Sequence, residues 1–223
     1  MTSLRYREFP VVEFTQRGHF IKICGVTSVQ DAVLVGDAGA DAVGINFATS
    51  KRHVDVDQAR EIALASEGLI RVGVFRDNDP EFVLEAASTT GIDVVQIHGL
   101  LDDTLLEQLR RRGLGVIKAL SVGTEEFSSF DDATVDAVLV DGIEPGSGVE
   151  HSWDDLGTRT FVAPLIAAGG LSSENVAAII EQVRPWGVDV ATGVETEPRR
   201  KDFDRMTTFV KLAQSAYDES GTG

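Results

Sequence analysis

The sequence predicts an α/β fold, specifically a single-domain (βα)8 TIM barrel. The chain has 223 residues, a length at which this barrel commonly forms one domain. From residue 19 onward, short runs rich in β-branched residues alternate eight times with segments of helical periodicity. The strand-like runs are almost continuously apolar, as expected for parallel strands covered on both faces. Because a doubly wound sheet rarely needs eight alternations, we expect a barrel domain over residues 19–223 and an N-terminal extension over residues 1–18.

The predicted strands and helices alternate along the chain. The strands are His19–Gly25, Asp41–Phe47, Leu69–Phe75, Asp93–Gly99, Gly115–Val122, Asp136–Gly142, Phe161–Ala168 and Gly187–Gly193. Helical patterns cover Val29–Ala38, Val56–Ala65, Pro80–Ser88, Asp103–Arg112, Ser172–Val183 and Asp202–Tyr217. The clearest helix is Ser172–Val183, where Ser172 or Ser173 can cap the first turn and Pro185 follows the end. The segments after strands five and six are short and only weakly helical.

The composition is acidic and bounds the possible partners. With 20 basic and 36 acidic residues, the formal charge is 20 − 36 = −16. This charge argues against a nucleic-acid-binding protein and against binding to an anionic membrane surface. No apolar run is long enough for a spanning helix, and the first 20 residues lack the pattern of a signal peptide. The five lysines do not cluster, which is typical of a solvated acidic surface.

A single cysteine, Cys24, excludes an intramolecular disulfide and favours a reducing compartment. We therefore expect a cytoplasmic location. In a (βα)8 barrel the chemistry lies at the carboxyl ends of the strands. The polar, thiol and glycine residues at the predicted ends are Cys24, Asn46, Arg52, Gln96, His98, Asp141, Gly169, Gly170, Asp189, Thr192 and Gly193.

Glycines at the ends of the last two strands indicate a phosphate site. Ala168-Gly169-Gly170-Leu171 closes strand seven, and Ala191-Thr192-Gly193-Val194 closes strand eight. Glycine lets backbone N–H groups approach a phosphate closely, and a helix amino terminus adds a partial positive charge. The alternative is that these glycines only form tight turns.

Cys24 and Asp141 end strands one and six. A lone cysteine in an apolar strand is commonly a small buried hydrophobe. A carboxylate after four apolar residues, by contrast, must be paired or reach water. Together, a thiol and a carboxyl group at one barrel mouth can serve as base and acid on a bound sugar.

Two further side chains carry open alternatives. Arg52, in the loop after strand two, can clamp a carboxylate bidentately or remain a solvated surface arginine. His98 has no second histidine at ligand spacing, so a packed or hydrogen-bonding role is favoured over a metal ligand.

Seven segments in order resemble a known family. They are Lys22-Ile23-Cys24-Gly25, Gly39-Ala40-Asp41-Ala42-Val43-Gly44, Ser50-Lys51-Arg52, Val72-Gly73-Val74-Phe75, Gln96-Ile97-His98-Gly99, Ala168-Gly169-Gly170-Leu171 with Asn175-Val176, and Gly187-Val188-Asp189-Val190 with Gly193-Val194-Glu195. This set resembles the phosphoribosylanthranilate isomerases of tryptophan biosynthesis over residues 19–215. The resemblance implies an Amadori rearrangement of an N-linked phosphoribosyl amine, with a small phosphosugar substrate and no metal or organic cofactor.

The resemblance also implies roles for individual residues. Cys24 corresponds to the general base and Asp141 to the general acid, so we expect their surroundings to shift the pKa values of both groups from their solution values. Phosphate binding falls to Gly169, Gly170, Thr192 and Gly193. Arg52 corresponds to the residue that faces the anthranilate carboxylate, and Asp189 to a residue near the reacting sugar.

The chain departs from the family pattern at several positions. Ala191-Thr192 replaces two serines, Arg199 and Arg200 stand where a glycine usually follows the proline, and the loop over residues 146–153 keeps only the glycines and Trp153. Three alternatives remain: a diverged member acting on another N-phosphoribosyl amine, a metal-dependent sugar-phosphate epimerase, and a non-catalytic phosphosugar-binding barrel. The sequence leaves monomer and homodimer open.

Overall fold

Eight parallel strands close into a barrel in the computed structural model, which describes residues 15, 17–141, 153–156 and 159–221. The strands follow one another around the barrel in chain order, and the first pairs with the eighth to close it. They are β1 (Phe20–Cys24), β2 (Ala42–Asn46), β3 (Ile70–Arg76), β4 (Val94–His98), β5 (Gly115–Ser121), β6 (Ala137–Asp141), β7 (Leu165–Ala167) and β8 (Gly187–Val190). The predicted (βα)8 barrel is thereby confirmed.

Helices pack around the strands. They are α1 (Val29–Asp37), α2 (Val56–Ala65), α3 (Pro80–Thr90), α4 (Asp103–Arg111), α5 (Glu125–Ser129), α6 (Val176–Val183) and α7 (Phe203–Ser220). Short 3-10 helices cover Asp132–Thr134, Trp153–Leu156 and Thr192–Val194, and a small antiparallel pair joins β9 (Glu195–Glu197) to β10 (Arg200–Lys201). As predicted, the segment after β5 is only a short helix.

The strands are mostly apolar because both of their faces are buried. One cluster fills the barrel interior and includes Phe20, Val74 and Leu139. A larger cluster lies between the strands and the helices and includes Ile21, Ile23 and Phe209. Successive residues of a strand alternate between the two clusters: in β6, Ala137 and Leu139 enter the interior cluster, whereas Val138 and Val140 enter the outer one.

The predicted starts of strands two, four and six fall on aspartates that cap the neighbouring strand. In each case the strand itself begins one residue later. The aspartate carboxylate accepts a backbone N–H of the preceding strand, and these bonds join Ile21 to Asp41 (2.9 Å), Arg71 to Asp93 (2.9 Å) and Val116 to Asp136 (2.8 Å). These carboxylates lie at the amino ends of the strands, the face of the barrel opposite the cavity.

Strand β7 is shorter than predicted, beginning at Leu165 rather than Phe161. The backbone N–H groups of Val162 and Ala163 bond to the carboxylate of Asp132 instead of to a neighbouring strand. Pro164 follows and has no N–H to donate. Strand β8 also ends earlier than predicted, because residues Thr192–Val194 form a 3-10 turn.

The helix predicted from Ser172 begins at Val176. Asn175 occupies the N-cap position, and its side chain bonds backwards, accepting from the Ser172 N–H at 2.8 Å and donating to the Gly170 carbonyl at 3.0 Å. Ser172 therefore does not cap this helix, and its hydroxyl accepts from the Glu174 N–H at 3.2 Å. The intervening turn keeps the end of β7 separate from the helix.

Most of the predicted extension (residues 1–18) and most of loop 146–153 lie outside the described residues. Arg17, near the end of that extension, pairs with Asp41 at 2.6 Å, and its carbonyl accepts from the Trp186 indole N–H at 2.9 Å. These two contacts attach Arg17 to the amino-end face of the barrel.

The turn between β9 and β10 holds an arginine in a backbone conformation that suits glycine. Pro198 and Arg199 form the turn, and Arg199 has φ of 77°. Proline followed by a residue of positive φ is the pattern of a type II turn. The Arg199 carbonyl accepts from the Thr27 hydroxyl at 3.1 Å, which anchors this turn to the loop after β1.

Candidate active site

A cavity of about 870 Å³ opens at the carboxyl ends of the strands. This is within the range of small-molecule sites and at the face where (βα)8 barrels hold their chemistry. All the residues chosen from the predicted strand ends border it: Cys24, Asn46, Arg52, Gln96, His98, Asp141, Gly169, Gly170, Asp189, Thr192 and Gly193. The barrel therefore brings together residues that are far apart in sequence.

Cys24 and Asp141 end strands that lie far apart around the barrel. Two strands, β7 and β8, separate β6 from β1 on the shorter way around. Cys24 is half-buried, whereas Asp141 is 8% exposed, and both border the one cavity. A bound molecule can therefore contact the thiol from one wall and the carboxyl group from another.

Lys22 lies below Cys24 on the inner face of β1. Its side chain is fully buried, and its ammonium pairs with the Asp189 carboxylate of β8 at 2.6 Å. Lys22 and Asp189 are also register partners where β1 and β8 meet. Burial acts to lower the pKa of Lys22, but the attraction of Asp189 outweighs it and raises that pKa, so this lysine stays charged.

The surroundings of Cys24 hold it as a thiol when no substrate is bound. Burial raises the pKa of the Cys24 thiol, the negative charge of Asp189 raises it further, and Lys22 and Lys201 act in the opposite direction. The pKa thus departs from its solution value, as expected, but in the direction that opposes thiolate formation. The two lysines are the groups that limit this rise.

Arg52 is buried in the cavity wall, so the solvated-surface alternative is wrong. Its Nε and Nη2 donate to the two carboxylate oxygens of Glu195 at 2.7 and 2.6 Å. Nη2 also donates to the Thr192 hydroxyl at 2.9 Å. Lys201, also buried, pairs with Glu195 at 2.9 Å, and these two cations hold the pKa of Glu195 below its usual range despite burial.

This pairing limits how Arg52 can hold a ligand. A guanidinium has five N–H donors, and the bidentate face formed by Nε and Nη2 is taken by Glu195. Within the described residues, the N–H groups of Nη1 have no protein partner. A ligand carboxylate would therefore meet Nη1 and not the bidentate face that the sequence suggested.

The loop that carries Arg52 is fixed by short polar contacts. Asn46 accepts from the Ala48 N–H at 2.9 Å and donates to the Ser50 hydroxyl at 3.0 Å, and this hydroxyl accepts from the Arg52 N–H at 3.1 Å. Gly25 has φ of 71°, and a Cβ atom there would lie 2.2 Å from Cδ of Arg52. The glycine after Cys24 thus makes room for the arginine.

The glycines after β7 and β8 bring two loops into backbone contact. A Cβ atom on Gly193 would lie 2.1 Å from the Leu171 carbonyl oxygen, so only glycine fits. Gly169 and Gly170 both have positive φ, 86° and 70°. The cleft between the two loops forms one end of the cavity. Thr192 borders it, with its hydroxyl already accepting from Arg52.

His98 is a packed, hydrogen-bonding histidine, as the sequence favoured. Its Nε2 lies 2.9 Å from the Gln96 amide nitrogen, and its Nδ1 lies 3.5 Å from a guanidinium nitrogen of Arg76. Burial, followed by the charges of Arg76 and nearby lysines, lowers the pKa of His98 to about 3. The ring is therefore neutral and presents no charge to the cavity.

Among the described residues, no group of three or more His, Cys, Asp or Glu side chains is arranged to hold a metal ion. No helix in those residues is both long and apolar enough to cross a membrane.

Sequence reasoning missed the buried charges beneath the site. Lys22, Lys118 and Lys201 are 0%, 0% and 5% exposed, so the expectation that the lysines are solvated is wrong for three of the five. The sequence could have indicated that Lys22 is buried, because this lysine lies between two isoleucines in a strand predicted to be covered on both faces. A lysine there has to be buried and paired. Glu195 offered no comparable local signal.

Taken together, the fold and the cavity define a class, the (βα)8-barrel proteins with a pocket at the carboxyl ends of the strands, here bordered by a thiol, a carboxyl group and glycine-rich loops. A sequence model of the family described as N-(5'phosphoribosyl)anthranilate (PRA) isomerase matches residues 21–212. The chain belongs to this family.

Individual relatives agree with the family match. The N-(5'-phosphoribosyl)anthranilate isomerase of Rubrobacter xylanophilus is 40% identical over 205 residues, covering 87% of this chain and 98% of the relative. The crystal structure of the Thermotoga maritima enzyme superposes with a TM-score of 0.80 at 36% identity, covering 88% of this chain and 99% of that one. A further phosphoribosyl anthranilate isomerase, solved with reduced 1-(o-carboxyphenylamino)-1-deoxyribulose 5-phosphate, has a TM-score of 0.75 at 34% identity, with coverages of 88% and 99%.

Proposed function

We propose that this protein converts N-(5-phosphoribosyl)anthranilate to 1-(2-carboxyphenylamino)-1-deoxyribulose 5-phosphate in tryptophan biosynthesis. Family membership supports this proposal, and so does the solved relative that binds the reduced form of the product. The single observation that carries the chemistry is that Cys24 and Asp141 border one cavity from separate strands. A barrel that only bound a phosphosugar would not need this pair.

Asp141 is proposed as the general acid. In protonated form it donates its proton to the furanose ring oxygen, the C1–O bond breaks, and the substrate nitrogen supplies the electrons that form an iminium at C1. The burial of Asp141 at the end of β6 suits a carboxyl group that has to be neutral before the reaction.

Cys24 is proposed as the general base. Its thiolate takes the proton from C2, and the electrons of that bond form an enolamine as the iminium is neutralised. The enolamine then tautomerises to the ketone as C1 gains a proton and the C2 hydroxyl loses one. To complete the cycle, Cys24 releases its proton to solvent and Asp141 takes one up. The iminium formed from the substrate's own nitrogen is the electron sink, so the proposed reaction uses no metal or organic cofactor.

The remaining residues are assigned to the two anionic groups of the substrate, the phosphate and the carboxylate. The phosphate is assigned to Gly169, Gly170, Thr192 and Gly193, where closely approaching backbone from two loops forms one end of the cavity. The anthranilate carboxylate is assigned to Nη1 of Arg52, the donor group that Glu195 leaves available.

Asp189 is proposed to orient a hydroxyl or the amine of the opened sugar. Its carboxylate borders the cavity and is 2.6 Å from the Lys22 ammonium. For the whole molecule, we propose a cytoplasmic enzyme with residues 19–223 as its catalytic domain.

The test is turnover of phosphoribosylanthranilate by Cys24→Ser and Asp141→Asn. Because each group carries one proton transfer, we expect kcat to fall by about 10²–10⁴-fold in each variant. Asp103→Asn, at an exposed position near the start of α4, is the matched control and should keep wild-type turnover.

Thermal melting and circular dichroism must show that both variants fold. If either folded variant kept turnover within a few-fold of wild type, the assignment of that residue would be wrong. Complementation of a tryptophan auxotroph that lacks this step tests the substrate. A folded wild-type protein that failed to complement would favour a different N-phosphoribosyl amine.

A further inference from the structure

We propose that Lys22 is a positioning residue whose ammonium offsets the negative charge of the Cys24 thiolate when the thiol ionises. In that state Cys24 and Asp189 share the one ammonium. This inference deepens the proposed function, because it rests on Cys24 acting as the base. It assigns a task to a buried lysine that does not itself border the cavity.

The first support is placement. Lys22 and Cys24 are two residues apart on β1, so their side chains leave the strand on the same face. Phe20, on that same face, belongs to the interior cluster, and Cys24 packs against it. Lys22 therefore lies inside the barrel, one layer below the thiol.

The second support is the balance of charge at this point. The Lys22 ammonium is fully buried and 2.6 Å from the Asp189 carboxylate, and an ionised Cys24 would raise the pKa of Lys22 further. With the thiol neutral, the pair of Lys22 and Asp189 has no net charge. When Cys24 ionises, two negative groups face one ammonium, so the lysine limits the repulsion between the thiolate and Asp189.

The opposite influences of Lys22 and Asp189 make the inference testable. Lys22 lowers the pKa of the Cys24 thiol and Asp189 raises it, while burial is the largest cause of the overall rise. Removing the positive charge should therefore make the thiol harder to ionise, and removing the negative charge should make it easier. A lysine needed only for folding would not give shifts of opposite sign.

The experiment titrates Cys24 directly. Since it is the only cysteine in the chain, the pH dependence of alkylation by iodoacetamide, followed by mass spectrometry of the intact protein, reports this thiol alone. In Lys22→Met we expect the alkylation rate at a fixed pH below the thiol pKa to fall about tenfold, equal to a rise of about one pKa unit. In Asp189→Asn we expect the rate at that pH to increase.

Lys118→Met is the matched control. Lys118 is equally buried, but it interacts with Glu126 at 2.8 Å and with the Ala119 carbonyl at 2.9 Å, and it is absent from the groups that act on Cys24. Its removal should leave the alkylation curve of Cys24 unchanged. An equal change in Lys22→Met and Lys118→Met would overturn the proposal.

Turnover adds an independent readout. The acidic limb of the kcat/KM profile should move to higher pH in Lys22→Met by the same amount as the thiol titration. If the limb moved while the alkylation curve stayed in place, Lys22 would act on the substrate and the proposal would be wrong. Shifts of the same sign in Lys22→Met and Asp189→Asn would also overturn it.

The alkylation measurement does not depend on turnover, so it separates this inference from the proposed function. Full activity in Cys24→Ser would remove the catalytic role while leaving the titration result intact. If Lys22→Met did not fold, Asp189→Asn would still decide the question, because an unchanged or slower alkylation in that variant contradicts the shared ammonium.

Discussion

Arg52 shows how one side chain can serve both the wall of the pocket and its ligand. Its Nε and Nη2 groups donate to the Glu195 carboxylate, and Nη2 also donates to the Thr192 hydroxyl. These bonds prevent the guanidinium from rotating freely. A donor that is already held in place loses less entropy when a carboxylate binds. Lys201 completes the set by sharing Glu195, which leaves the cluster with a net positive charge toward the cavity.

At the scale of single residues, the sequence predicted the residues that border the cavity but not the buried residues that hold them in place. Cys24, Arg52 and Asp141 could be found because a strand end in a barrel is a known place for chemistry. Glu195 and Lys201 could not, because their pairing depends on the turn from β9 to β10, which brings them to Arg52. Local periodicity carries no information about that turn.

Arg199 gives the first residue-scale prediction. Its positive φ costs an ordinary side chain about 1–2 kcal/mol, whereas glycine adopts it freely. Glycine also gives the unfolded chain more freedom, which offsets about 0.4–1 kcal/mol. We expect Arg199→Gly to raise the melting temperature by about 1–3 °C.

Arg200→Gly is the control for this prediction. Arg200 lies in β10, does not have a positive φ, and its side chain forms an exposed ion pair with Glu197. Glycine there should lower the melting temperature, because a strand residue loses conformational restriction without any relief of strain. A lower melting temperature in Arg199→Gly as well would mean that the turn conformation carries no strain.

Among the elements, aspartates set several of the strand boundaries. Asp41, Asp93 and Asp136 each accept a backbone N–H from the strand before their own. The same Asp–apolar–Val pattern recurs in the sequence at all three sites. This recurrence could have indicated that the three aspartates have the same structural role. The predicted strands included these aspartates because they directly precede apolar runs. The pattern of apolar residues does not show which backbone N–H group a carboxylate accepts from.

Asp132 determines the start of β7 and supplies an element-scale prediction. Its carboxylate accepts from Val162 and Ala163 and pairs with Arg159 at 3.3 Å. Asp132→Ala leaves these groups without their acceptor, and we expect the free energy of unfolding at pH 7 to fall by about 1–3 kcal/mol. Chemical denaturation of both proteins measures this difference.

The effect should depend on pH with a definite sign. Although burial opposes it, the N–H groups of Ala163 and Val162 and the charge of Arg159 hold the pKa of Asp132 below its usual value. A lowered pKa in the folded state means that the stabilisation is fully present above the unfolded pKa of about 3.9 and is lost as the pH falls further. The gap between wild type and Asp132→Ala should therefore be constant near neutral pH and shrink below about pH 4.

Asp218→Ala is the control, since Asp218 is exposed near the carboxyl end of α7. An aspartate in that place is not favoured by the helix dipole, so its removal should not destabilise the protein. A gap for Asp132→Ala that widened in acid would contradict the assigned sign.

For the whole molecule, the distribution of charge matters more than its sum. The formal charge is −16, yet buried Arg52 borders the cavity and buried Lys22 and Lys201 lie beneath its wall. An anionic substrate is therefore repelled at long range and attracted at short range. Length and the alternation of strands and helices predicted the barrel correctly, but composition alone could not show that three of the five lysines are buried.

This distribution predicts an unusual salt response. Salt screens charges in solvent more than it screens buried ones, so the long-range repulsion should weaken first. We expect kcat/KM for phosphoribosylanthranilate to stay level or rise as KCl increases from about 20 to 200 mM. Steady-state kinetics at constant pH test this expectation.

A charge variant provides the comparison. Replacing the exposed Glu85 and Glu181 with lysine, away from the cavity, should raise kcat/KM at low salt and flatten its dependence on KCl. A steep fall in kcat/KM with salt for the wild type would show that long-range attraction dominates, contrary to the prediction.

The pairing of β1 with β8 also has a consequence for how the protein becomes active during folding. Lys22 and its counterion Asp189 are 167 residues apart in the chain and meet only along the seam between the first and last strands. Such distant contacts are costly to form because of the loop that must close. A chain with seven strands assembled would possess its cysteine but not the environment that tunes it. The protein therefore becomes competent for catalysis only when the first and last strands pair and the barrel closes.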